Sequence, residues 1–159
     1  MIDTKQYLEV LIEGLRKKNK LLDQIKELND QQAQVIRKSE TLDHFDEIVT
    51  KKQALIDEIN KVDNGFQTVY DRVRKDVEEN KKQYREQILM LQELVHRATD
   101  LGIEIQAGEA RNKAEIEQYF SYLHKEIHSS KRSLKAANDY YKNMNGLNFN
   151  DNSIWDQKK

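Results

Sequence analysis

The chain has 159 residues, enough for one domain, and its 27 basic and 28 acidic residues nearly cancel, so no global charge draws it to nucleic acid or an anionic membrane. Cysteine is absent, which excludes disulfides and thiol catalysis. Proline is absent too, where a chain this long ordinarily holds roughly eight, and only five glycines occur. With 35% charged residues, the composition describes a few long helices around a thin core.

Asp3, Lys5 and Glu9 interrupt any apolar start, and the run Ile88-Leu89-Met90-Leu91 is too short to cross a bilayer. A soluble cytoplasmic protein without membrane insertion is expected. The first helix is predicted over about residues 3–38, capped by Asp3 or Thr4. Its apolar line runs Leu8, Leu11, Leu15, Leu22, Ile25 and Ile36. Lys18, Asn29 and Gln32 interrupt it. Either these polar residues are buried and fix register, or the helix rolls outward there.

A second helix is predicted over about 42–79, opened by Thr41 or Asp43, with Phe45, Ile48, Ile56, Ile59, Val73 and Val77 on its seam. Glu47 with Lys51, and Asp71 with Lys75, sit in the favourable acid-first order. Asn64-Gly65 is a stop signal, but the apolar spacing continues past it, so the turn is placed near Asn80. Asn80 with Gln83 resembles a capping box for the start of a third helix.

That third helix is predicted over about 81–144. Its stripe includes Leu91, Val95, Leu101, Ile105, Ile116, Tyr119, Leu123, Ile127, Leu134, Tyr141 and Met144. A straight helix from Asn80 to Met144 would reach about 97 Å at ~1.5 Å per residue. The two shorter helices would not cover it. The expected fold is therefore all-α: an elongated antiparallel three-helix bundle or coiled coil, residues 1–144 as one domain, with the long C-terminal helix projecting beyond the hairpin. Gly102 and Gly108 then permit close helix packing or mark a hinge. Residues 145–159, with Phe149, Ile154 and Trp155, form a polar tail.

Chemistry has little to stand on. His124 and His128 are four apart but lack a third ligand, and Glu93-x-x-His96 is half of a di-iron pattern without its second copy. Glu93 is more simply the partner of Arg97. Catalytic, metal and cofactor sites are expected to be none. Between His124 and Lys142 the charges are mildly basic, and Tyr119, Phe120, Tyr122, Tyr140 and Tyr141 lie in or beside that span. Nucleic-acid binding through Lys131, Arg132 and Lys135 is the weaker reading, and apolar residues on an unaccompanied helix point to a protein partner.

The layout resembles the FlgN-type flagellar export chaperones. The overlap lies in Glu93-Leu94-Val95, Gly102-Ile103-Glu104-Ile105-Gln106, Asn112 and Tyr119-Phe120, with an aromatic-Asp-x-Lys ending at Trp155-Asp156-Gln157-Lys158. The resemblance implies a cytoplasmic chaperone of flagellar type III export that binds the C-terminal helical region of hook–filament junction proteins and keeps them export-competent. Export-gate components and a second copy are further candidate partners. The client-binding face is expected at Ile116, Tyr119, Phe120, Leu123, Ile127, Leu134, Tyr140, Tyr141 and Met144. The alternative is a structural coiled-coil protein that self-associates through its long helix.

Overall fold

The computed structural model describes residues 3–38, 42–122 and 135–142, and all of its regular structure within them is helical. Three long helices, α1 (Thr4–Lys38), α2 (Leu42–Glu79) and α3 (Arg85–Tyr122), are joined by short connections, and residues 135–142 are helical as well. The expected caps Thr41 and Asp43, and the tail with Phe149, Ile154 and Trp155, lie outside the described residues or side chains.

Asp3 opens α1: its Oδ1 accepts the Gln6 backbone N–H at 2.9 Å while Gln6 Oε1 accepts the Asp3 N–H at 3.0 Å. This reciprocal pair satisfies two donors that a helix start leaves free. Thr4 is used otherwise, donating to Asp76 on α2 at 2.5 Å. Helix α2 runs unbroken through Gly65, around which nothing lies close enough to crowd a Cβ. The Asn80–Gln83 box does not form. Asn80 instead turns back and donates its amide to the Asp76 carbonyl at 2.9 Å, closing α2. Residues 81–84 are a turn, so α3 starts at Arg85 rather than near residue 81. Asp76 also accepts the Tyr84 hydroxyl at 2.9 Å, and these hydrogen bonds, Thr4 first, hold its carboxyl below the usual carboxylate range.

Cross-helix pairs give the directions. Along α1, Thr4, Lys18 and Asn29 meet Asp76, Asp63 and Lys52, so α2 runs counter to α1. Asp23, Lys26 and Arg37 meet Arg97, Glu104 and Glu115, so α3 runs alongside α1. Arg97 thus pairs with Asp23 across the interface at 3.3 Å, not with Glu93 on its own helix. Helix α1 is the shared wall: the backbones of α2 and α3 each pack on it and stay apart from one another.

The interior falls into two apolar clusters. One gathers Leu8, Leu11, Leu15, Val73, Val77 and Leu91 at the end holding the α2–α3 turn. The other gathers Leu22, Ile25, Phe45, Ile56, Ile105 and Ile116 toward the far end. Between them sits a polar step, where buried Asn19 donates to the Leu94 carbonyl at 3.1 Å and buried Lys18 reaches Asp63 at 2.9 Å.

The expected projection of the third helix is corrected by the structure. Ala137, Tyr140 and Tyr141 belong to the far apolar cluster of the same chain, with Ile36, Phe45 and Phe120. A straight helix would carry residue 140 about 46 Å beyond residue 109 at ~1.5 Å per residue. Instead the Tyr140 ring lies over Lys52, whose ammonium also binds Glu109.

Candidate functional site

Under residues 135–142 lies a polar layer that crosses the whole bundle. Lys52 occupies a seam position of α2, in line with Phe45, Ile48, Ile56 and Ile59, and is 0% exposed. A buried ammonium must find a partner for each of its three protons. Lys52 Nζ donates to Asn29 Oδ1 at 2.7 Å, to Gln32 Oε1 at 2.6 Å and to the Glu109 carboxylate on α3. Asn112, one turn beyond Glu109, donates to the Asn29 carbonyl at 3.0 Å and to Gln32 Oε1 at 3.2 Å. Asn29 and Gln32 therefore face inward, and two of the three interruptions in the α1 seam are acceptors of one lysine, the third being Lys18 with its own partner Asp63. Gly108 makes room for this, since a Cβ there would come within 3.2 Å of Asn29 Nδ2.

Burial pushes the Lys52 ammonium down to about 8, although Glu109 opposes the shift. Burial likewise raises the Glu109 carboxyl, against the pull of Lys52. Such a pair is costly to desolvate and contributes mainly by fixing which side chains meet.

The lid over this layer is less well matched. The Tyr140 ring centroid sits 4.3 Å from Lys52 Nζ, a cation–π contact, and Tyr141 packs edge-on to Tyr140 at 5.2 Å. Burial, and then the nearby Glu109 carboxylate, raise both phenols above their ordinary range. Both rings are buried; the Tyr140 hydroxyl faces the Glu109 carboxylate closely enough to oppose the rise of that carboxyl, whereas the Tyr141 hydroxyl closes no hydrogen bond among the described residues. A buried hydroxyl left without a partner forfeits about 1–3 kcal/mol of solvation.

Of the residues expected to form a client face, Ile116, Phe120, Tyr140 and Tyr141 come together, but as buried core at 2%, 6%, 2% and 4% exposure. Tyr119 is half-buried at their edge, edge-on to Phe120 at 5.6 Å. Leu123, Ile127, Leu134 and Met144 lie outside the described residues, as do His124, His128, Lys131 and Arg132. Tyr122, at the end of α3, is 88% exposed. No group of metal-ligating side chains occurs among the described residues, and no described helix is long and apolar enough to cross a membrane. Lys52 and Glu109 escaped the sequence reading, although both stand at seam positions where an apolar residue was due.

The described residues thus form a helical bundle closed around a buried polar layer that ties α1, α2 and α3 together. The family model for FlgN protein matches residues 1–146, and the chain belongs to the FlgN family, a family of flagellar export chaperones. No curated protein and no solved structure gives a significant match.

Proposed function

We propose that this protein is a cytoplasmic chaperone of flagellar type III export that holds the C-terminal helical region of hook–filament junction proteins before secretion. The family match over residues 1–146 carries the reading. It also supports treating residues 1–144 as the chaperone body and 145–159 as a tail. The client face is assigned to the far end of the bundle, where Tyr119 is half-buried beside Phe120 and Tyr122 is exposed. An amphipathic client helix would lay its apolar side against such a surface, with no nucleotide or metal required.

The test is direct binding. The C-terminal region of a junction protein from the same organism, mixed with the purified chain and titrated calorimetrically, should form a complex. Tyr119→Glu should weaken it at least tenfold while circular dichroism stays helical. Absence of a complex, or a complex indifferent to that charge, refutes the assignment of client or of face.

A further inference from the structure

We propose that the outer side of the α1–α2 hairpin is a docking groove for one further helix, an amphipathic client helix with large apolar side chains at heptad spacing and acidic residues beside them. The proposal rests on the chaperone reading and goes beyond it by naming a second surface and the chemistry of the helix that fits it.

The groove follows from the pairing of two antiparallel helices. A Cβ on Gly14 would meet Val62 Cγ1 at 3.9 Å, so these two positions face each other. Seven residues on along α1 and seven back along α2, the same meeting brings Leu21 to Leu55, and a second such step brings Leu28 to Ile48. Beyond them Val35 shares an open cavity of about 280 Å³ with Ile48. Leu21, Leu28, Val35, Leu55 and Val62 are only half-buried, and Val10, one turn before Gly14, is 52% exposed. The stripe faces away from α3. Leu21, Leu28 and Val35 each stand two residues, about 200° of helix turn, from Asp23, Lys26 and Arg37, which pair with α3. From Gly14 to Val35 it is about 32 Å long, at ~1.5 Å per residue. Half-exposed apolar side chains repeating every seven residues on two adjacent helices are what a third helix packs into.

Two further observations define the occupant. Gly14 lies in the stripe and Gly65 stands three residues from Val62 on its outer rim, and a Cβ on Gly65 would have nothing within 4 Å. Glycine inside a helix is destabilising, and no neighbour in this chain needs the room at Gly65. A helix in the groove does need it, for a large apolar side chain laid over that gap. The rims are also cationic. The positions three residues on from the stripe hold Lys17 and Lys38 on α1 and Lys51 and Arg72 on α2, against one acid, Glu58, which Lys17 already meets at 3.7 Å. A second copy laid face to face would set these cations against each other, whereas acidic flanks on an incoming helix complement them.

The experiment uses the full chain and two labelled helical peptides of four heptads with leucine on one face. One carries glutamate at the positions flanking the leucines, the other lysine. Fluorescence anisotropy should show the glutamate peptide binding at least tenfold more tightly than the lysine peptide. Gly65→Leu adds a side chain where no neighbour stands and replaces a poor helix former, so it should raise the melting temperature while weakening the glutamate peptide at least tenfold. Lys38→Glu/Lys51→Glu should reverse the preference between the two peptides, which a folding defect would not do. Equal binding of the two peptides to the unaltered chain, no binding of the glutamate peptide, or a Gly65→Leu chain that binds it unchanged overturns the proposal. No junction protein enters these measurements. If they come out as stated and junction proteins do not bind, the groove stands and the named client falls. If junction proteins bind and the glutamate peptide does not, the chaperone reading stands and the groove falls.

Discussion

Replacing Lys52 by methionine tests the polar layer directly. The side chain is 0% exposed and its ammonium makes three hydrogen bonds, one of them to a carboxylate that is itself buried. Methionine fills most of the volume, so the loss is not a cavity. It is the stranding of the Glu109 carboxylate and of the Asn29 and Gln32 oxygens. Breaking a buried pair from one side costs about 3–5 kcal/mol. For a chain of this size each kcal/mol moves the melting temperature by about 2–4 °C, so Lys52→Met should melt roughly 6–20 °C lower. The double variant Lys52→Met/Glu109→Leu removes both charges together. It should regain most of that loss and stand within about 1–2 kcal/mol of the parent, because replacing a whole buried pair is often neutral. Urea melts followed by circular dichroism give all the corners of the cycle. A single substitution costing under about 1 kcal/mol, or a double no better than the sum of the singles, would refute the picture of one closed network.

The same lysine sets a pH dependence. Its proton is held up to about 8 in the fold and to 10.5 when unfolded, so between these values the unfolded chain binds more protons and raising the pH favours the fold. Urea midpoints measured across that window should rise for the parent relative to Lys52→Met, and parallel curves would count against a charged buried lysine. Tyr141→Phe deletes a buried hydroxyl that closes no hydrogen bond and keeps the ring, so it should stabilise the chain by about 1 kcal/mol, read as a higher urea midpoint. A destabilised variant would mean that the hydroxyl is paired in solution.

The helical class, the α1 seam and the passage of α2 through Gly65 were legible because the apolar spacing is regular and proline never interrupts it. The polar layer was half legible. Asn29 and Gln32 stood out as breaks in an apolar line, whereas Lys52 and Glu109 were lost among many surface charges. Only their place in the spacing marks them: Lys52 falls between Ile48 and Ile56, and Glu109 between Ile105 and Asn112. The course of the chain after Phe120 was not legible. Tyr140 and Tyr141 extend the α3 stripe in sequence, and such a stripe reads the same whether a helix continues or comes back to lie on its own bundle. Arg97 shows the same limit on a smaller scale, since spacing along a helix offers it Glu93 but not Asp23 across the interface.

The central position of α1 bears on how the protein is made. The helix that both others lean on is the first to leave the ribosome, and α2 can zip back along it as soon as it emerges, through contacts close in sequence. Helix α3 then finds a prepared wall instead of a loose strand of chain. Assembly in that order keeps sticky surfaces exposed only briefly during synthesis, an advantage for a molecule proposed to spend its working life shielding the sticky surfaces of others.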